Sequence, residues 1–266
     1  NRGGRHGDDG LKIGRKGMQP VFDFITESKR ANKPFFLWYA PMLPHTPHDP
    51  PDRLLEKYRR DDRPIELAKY YAMCEFFDES CGQLLDHLDQ QKLSENTLVM
   101  YVTDNGWIQA TPEMNLGKNW NHGFAPRSKQ TPYEGGIRTP IMVSWPGKIA
   151  PAEYPDLCST LDVMPTILAA TGLHAMPDLP GRNLLSRIRG GKPLDRTYLC
   201  GESFSHDIAD LKNPETSLQY RWCIESKWKL ILSYDCPTDR YSFVHAVNDR
   251  NPQLFDIESD PHERQN

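Results

Sequence analysis

Asp104-Asn105-Gly106 stands directly after a short apolar run at 98–102, and Lys129 follows 24 positions after Asn105. A carboxylate and an amide oxygen are hard donors suited to Ca²⁺ or Mg²⁺. A lysine ammonium is a compact point charge suited to an oxyanion. The same tripeptide is also a common turn sequence, and a lone lysine is most often solvated surface. Position gives these residues weight: in open α/β sheets, ligands collect at the carboxyl ends of strands. The Gly135-Gly136 pair after Tyr133-Glu134 lets backbone approach a neighbour closely. A hard cation and an anionic group could meet here.

A second set lies upstream. Pro44-His45-Thr46-Pro47-His48-Asp49-Pro50-Pro51 holds four prolines in eight residues, which stiffens the loop and fixes two imidazoles at low entropic cost. A histidine so placed can donate a proton to a leaving group or bind an anion; a rigid polar surface loop is the plainer alternative. Trp107, Asn119, Trp120, Asn121 and His122 lie between the Asp-Asn pair and Lys129, and His206 follows Glu202-Ser203-Phe204-Ser205. Loops of this kind carry specificity on a rigid scaffold. His122 and His206 are the first candidates to contact a sugar or a second anionic group.

The elements that must position these residues alternate in type. Residues 21–31 read as a helix with an apolar stripe of Val21, Phe22, Phe24 and Ile25, stopped by Pro34. Residues 35–40 read as a strand dense enough to be buried on both faces, and 51–59 as a short helix. The longest helical pattern, 65–91, carries Tyr70, Cys74, Phe77, Cys81, Leu84, Leu85 and Leu88 along one stripe. Strands follow at 98–102 and 137–145, then a helix at 159–171 that Gly172 stops. Beyond it come β-like segments at 198–204, 218–225, 228–234 and 254–256. The order predicts an α/β main domain over 1–172 and a small α+β subdomain with antiparallel strands over 173–266.

Composition excludes several classes. The 266 residues are 26% charged with a net charge of −4, and no long basic run suggests nucleic acid. No apolar run approaches the roughly 20 residues that span a bilayer. The 23 prolines predict many ordered loops. Residues 1–16 are polar and rich in Gly and Arg, without an initiator Met or signal-peptide core, and read like the middle of a longer protein. Cellular location is not legible there. The six cysteines, Cys74, Cys81, Cys158, Cys200, Cys223 and Cys236, form no CxxC pair, and read as small buried hydrophobes. Cys74 and Cys81 would lie roughly 10 Å apart along a helix, too far to bridge.

Three segments together resemble the formylglycine-dependent sulfatases of the alkaline phosphatase superfamily: residues 35–40 followed by Pro44-His45-Thr46-Pro47; Val102-Thr103-Asp104-Asn105-Gly106; and Lys129 with Tyr133-Glu134-Gly135-Gly136-Ile137-Arg138-Thr139-Pro140. Weaker echoes follow in the same order: residues 160–168 with Gly172, Arg221 and Lys229-Leu230-Ile231, then Leu254-Phe255-Asp256 with Asp260-Pro261 and Glu263. The resemblance implies an alkaline phosphatase-like α/β sandwich, a mixed sheet between helices, and hydrolysis of a sulfated carbohydrate or aryl sulfate. It makes Asp104 and Asn105 ligands of one divalent cation, usually Ca²⁺. It gives Lys129 a sulfate oxygen and makes His45 the group that contacts the ester and protonates the departing alcohol. His45 is preferred over His48 on register, although His48-Asp49-Pro50 fits the same short His-x-Pro pattern; His48 stays with His122 and His206 as a substrate-binding candidate.

The sequence departs from the family in one respect. The family places two aspartate ligands after an N-terminal strand and oxidises the first residue of Cys-x-Pro-x-Arg to a formylglycine nucleophile. Asp8-Asp9 and Asp61-Asp62 follow no apolar strand, and Cys236-Pro237-Thr238-Asp239-Arg240 has its proline one position early. The chain thus resembles the C-terminal part of such an enzyme, with no nucleophile and no turnover of its own. Two other readings keep the fold: a phosphodiesterase or phosphonate monoester hydrolase, and a non-catalytic binder of sulfated glycans. A Thr nucleophile upstream would favour phosphate chemistry. Oligomeric state is not legible.

Overall fold

A computed structural model describes residues 12–107, 125–206, 208–236 and 251–266. Contacts divide the chain into two compact units, 1–97 and 98–266.

The first unit is helical. α1 (Gln19–Arg30) starts with Pro20 in its first turn, where the missing N–H costs nothing, and ends on Lys29 and Arg30, which suit the negative end of the helix. It buries Val21 and Ile25, one turn apart, while Phe24, expected in the same stripe, is exposed. α2 (Asp52–Tyr58) buries Leu54 and Leu55 against α3 (Ile65–Gln90). The buried line of α3 is Ala68, Ala72, Met73, Ser80 and Leu88. The expected stripe is rotated: small side chains let neighbours approach, and Leu85 is exposed. α1 is tied to α3 by Phe22 stacked on His87 with ring centroids 4.5 Å apart.

Residues 35–40 form no strand; they run extended without ladder partners among the described residues. Their exposure alternates, with Phe36 at 63% and Trp38 at 79%, whereas the unbroken apolar run predicted burial on both faces. Pleated backbone sends successive side chains to opposite sides, and here only the Phe35, Leu37 and Tyr39 side is half-covered.

The second unit holds both sheets. β1 (Val99–Val102) and β2 (Ile141–Ser144) pair antiparallel, Val99 opposite Ser144 and Val102 opposite Ile141. The strand expected from 137 begins only at 141. Residues Glu134–Ile137 turn into a short helix, α4, and Pro140 has no N–H for the ladder. α5 (Val163–Ala170) ends at Gly172, whose φ of +74° is the left-handed stop. α6 (Leu184–Ile188) packs on it. β3 (Tyr198–Phe204), β4 (Leu218–Glu225), β5 (Trp228–Ser233) and β6 (Gln253–Asp256) form an antiparallel meander in that order. Tyr133, Tyr220, Ile231 and Phe255 are its core.

One difference concerns this sheet. Cys200 and Cys223, expected as separate apolar residues, face each other across β3 and β4 and are disulfide-bonded. Buried contacts also join the sheet to a segment well before it in sequence. Tyr133 donates to Gln253 Oε1 at 2.9 Å, and Lys229, fully buried, pairs with Glu134 and Glu263 at 2.9 Å each. The C-terminal meander and the segment before Gly135 are one packed body.

Candidate active site

The Asp-Asn turn and the lysine segment interlock through their backbones. The Gly106 N–H donates to the Gly136 carbonyl at 2.8 Å, and the Lys129 N–H donates to the Trp107 carbonyl at 2.9 Å. Glycine is required at the contact: a Cβ on Gly106 would lie 1.9 Å from the Gly135 oxygen, and one on Gly136 would lie 2.4 Å from the Thr131 oxygen. Thr139 Oγ1 donates to the Thr103 carbonyl at 2.9 Å, closing the other side of the turn.

Within the turn, the Asn105 N–H donates to Asp104 Oδ1 at 2.8 Å, and Asn105 Nδ2 donates to the Gly106 carbonyl at 2.7 Å. The amide nitrogen is thus engaged locally, and the Asn105 carbonyl oxygen is the group left for a ligand. Asp104 is exposed and Asn105 half-buried. Both line a cleft of about 390 Å³ whose walls include Gln130, His206, Phe204 and Trp222. The donors are hard oxygens, as Ca²⁺ or Mg²⁺ requires. Among the described residues no cluster of three or more His, Cys, Asp or Glu is arranged to hold a metal. The pair fits a divalent cation as part of a larger ligand set.

Lys129 is half-buried, and backbone strain flanks it. Arg127 has φ +54° and Gln130 φ +70°, a region costing non-glycine residues of order 1–3 kcal/mol each. Surrounding contacts hold it: Arg127 lies over the Tyr133 ring at 4.7 Å, and Thr131 Oγ1 donates to the Ser128 carbonyl at 2.6 Å. Gln130, not Lys129, lies on the cleft wall, and among the described residues its buried Oε1 has no hydrogen-bond partner. Sequence reasoning missed Gln130, since nothing in a glutamine announces a left-handed backbone.

A second support lies behind Ser159 and Thr160 of the cleft lining. Asp162 is fully buried and takes both arms of the Arg196 guanidinium, at 2.7 and 2.6 Å, with the N–H groups of Ser159 at 2.8 Å and Arg182 at 2.6 Å. Burial pushes this carboxyl up, but the Arg196 fork and the two N–H donors more than reverse it, leaving it below the ordinary carboxylate range. This fixes Ser159 and Thr160, which line the cleft.

His206 is exposed on the cleft wall with Asp104 and Asn105, so three expected site residues share one cavity. In the first unit, half-buried His45 directs Nδ1 to the Thr46 carbonyl at 2.9 Å. A carbonyl only accepts, so this contact calls for a proton on Nδ1 and leaves Nε2 as the nitrogen that gains or loses one. His48 packs against Tyr70, ring centroids 5.8 Å apart. His122, with Asn119, Trp120 and Asn121, lies outside the described residues.

The sulfatase family model matches residues 13–173. The chain belongs to the sulfatase family. The N-acetylgalactosamine-6-O-sulfatase of Bacteroides thetaiotaomicron is 26% identical to it over 264 residues, 93% of this chain and 47% of that protein. Human arylsulfatase A is 34% identical over 156 residues, 58% of this chain and 28% of that enzyme. A solved Bacteroides thetaiotaomicron structure, described with the metabolism of multiple glycosaminoglycans, superimposes with a TM-score of 0.71 at 25% identity, covering 96% of this chain and 50% of that one. The fold is that of sulfatases in the alkaline phosphatase superfamily, with their C-terminal subdomain. This sulfatase chain spans about half the length of the curated relatives it matches across most of its own length.

Proposed function

We propose that this chain is the C-terminal part of a metal-dependent sulfatase that hydrolyses sulfate esters of carbohydrates. The observation that carries the reading is the shared cleft: Asp104, Asn105 and His206 line it, and the Lys129 backbone is bonded to the residue after the Asp-Asn-Gly turn. Asp104 and Asn105 would hold the cation, Ca²⁺ before Mg²⁺, which supplies charge neutralisation for the ester oxygens. Lys129 places a positive charge against a sulfate oxygen. His45 donates a proton to the departing alcohol. His206 has the cleft in support of a substrate-binding role; His122 is proposed for the same role from its place in the loop before Lys129, and His48 from the His-x-Pro resemblance.

Leu199, Phe204 and Trp222 give the far wall an apolar face that suits a sugar ring. The N-acetylgalactosamine-6-sulfatase relatives favour a 6-sulfated amino sugar. The formylglycine nucleophile and the aspartate pair belong to a segment outside the 266 residues. The disulfide Cys200–Cys223 supports an oxidising location, periplasmic, secreted or lysosomal. No described helix is long and apolar enough to cross a membrane.

The test uses the full-length protein. It should release sulfate from a 6-sulfated amino sugar, and residues 1–266 alone should not. Asp104→Ala should abolish both that turnover and the calorimetric heat of Ca²⁺ binding. Faster turnover of a phosphonate monoester than of any sulfate ester, or Ca²⁺ binding unchanged by Asp104→Ala, would overturn the reading.

A further inference from the structure

The loop at 41–50 has little of its own to hold it. Among the described residues, it takes part in no backbone–backbone hydrogen bond. One arginine some thirty positions upstream binds it through its side chain. Arg15 sits in a tight turn in which the Lys16 N–H donates to the Lys12 carbonyl at 2.7 Å and the Gly14 N–H to the Gly17 carbonyl at 3.1 Å. Gly14 has φ +88°, and a Cβ there would lie 2.6 Å from the Tyr39 hydroxyl and 3.3 Å from Leu43 Cδ1. The turn therefore rests directly on 39–43. The Tyr39 hydroxyl donates to Ser80 Oγ on α3 at 2.8 Å, which anchors that surface to a buried helix position.

From this fixed base the Arg15 side chain, 10% exposed, reaches across the loop. The two N–H groups of Nη2 serve three carbonyls, one of them shared: Met42 at 3.0 Å, His45 at 3.2 Å and Pro47 at 3.2 Å. Nη1 pairs with Asp49. The contacts fall on His45 itself and on both sides of it. A guanidinium presents its donors in a rigid planar fork, so such a grip fixes orientation as well as distance. The imidazole inherits that orientation, because its Nδ1 bonds to the carbonyl of the next residue, Thr46.

We propose that Arg15 is a positioning residue for sulfate ester hydrolysis: it holds the backbone around His45 so that Nε2 faces the leaving group. This rests on the reading of His45 as the proton donor. As the S–O bond breaks, its electron pair stays on the alcohol oxygen, which takes the proton that Nε2 carries in the imidazolium form of His45, leaving a neutral ring with its proton on Nδ1. An oxygen nucleophile of the complete enzyme bonds to sulfur.

The experiment compares two leaving groups in the full-length protein. An alkyl sulfate of a sugar needs its alcohol protonated; 4-nitrophenyl sulfate, whose phenolate leaves readily, does not. Arg15→Met should lower kcat on the sugar sulfate about 100-fold, the scale of a misplaced general acid, and change kcat on the aryl sulfate less than about threefold, with KM nearly constant. Arg15→Lys, which keeps the charge and some donors, should recover part of the loss. Equal losses on both substrates, in step with a lowered melting temperature, would mean a purely structural role and overturn the proposal. His45→Ala separates the two ideas. If it does not show the same leaving-group selectivity, the His45 assignment falls. Unchanged amide exchange at 42–49 in Arg15→Met would instead show that the grip itself is wrong.

Discussion

The histidine loop at 41–50 and the Asp-Asn turn with its lysine segment are both irregular backbone, yet they are held in opposite ways. The loop is gripped from outside by one long side chain, Arg15, through three carbonyls. The turn is held by side chains that are missing: Gly106, Gly135 and Gly136 let two backbones meet where a Cβ would collide. A grip can be loosened by changing one residue at its far end. An interlock transmits whatever happens to the body beneath it, and that body is the C-terminal meander, joined through Glu134.

The largest effect should therefore come from beneath the turn. Lys229→Met would leave Glu134 and Glu263 buried without their cation, at a cost of about 3–5 kcal/mol, read by urea unfolding of the full-length protein. The Asp104–Gly106 turn should loosen in amide exchange at the same time. A loss below 1 kcal/mol would show that the meander does not hold the site. Gly106→Ala should come next, at about 3 kcal/mol, the upper end of ordinary overpacking. A neutral result would mean that the two backbones can part without consequence, and the contrast with the Arg15 grip would disappear.

The difference between the two regions also decides what the sequence made legible. Helices α1 and α3 and strands β3 to β6 follow from periodic patterns and lie within a few residues of expectation. Gly172 marks the end of α5 because only a left-handed residue can stop it there. Asp104, Asn105 and His206 were each visible, but that they share a cleft depends on the path of β3, which no local pattern reports. Lys229 appears in the sequence only as part of a weak family echo; its burial depends on Glu134 and Glu263, far off in sequence. Arg15 and Gln130 carry no local signal at all: one acts through carbonyls thirty positions away, and the other stands out only through its backbone angle. Residues 35–40 were misread because apolar density records what a segment prefers to bury, not whether partners surround it.

A smaller effect separates two buried carboxylates of the second unit, Asp162 and Glu263, by pH. Asp162 has one guanidinium to itself and is held below its ordinary range. Glu263 shares one ammonium with Glu134; burial raises it, and Lys229 only partly offsets the rise. A raised carboxyl favours the protonated folded form, so its contribution is full below the ordinary 4.5 and is lost as pH rises through the folded value. The stability difference between the native chain and Glu263→Gln should fall over that window, by about 1.4 kcal/mol per unit of elevation. A difference independent of pH from 4 to 8 would remove the contrast. Asp162 works the other way: its contribution is present above its ordinary 3.8 and lost as pH falls through the depressed value.

The smallest effect tests whether the Arg15 grip is one of charge or of geometry. Among the four described residues bonded to Arg15, Asp49 is the one that contributes a carboxylate, and its side chain is 60% exposed. Exposed ion pairs contribute about 0–1 kcal/mol, whereas the bonds to the Met42 and His45 carbonyls are part-buried beneath an arginine that is only 10% exposed. Asp49→Asn should therefore cost under 1 kcal/mol in thermal unfolding and leave the amides at 42–49 as protected from exchange as before. If it costs as much as Lys229→Met, the loop is held by a charge pair, and the histidine region is built on the same principle as the Lys229 cluster rather than on a backbone grip.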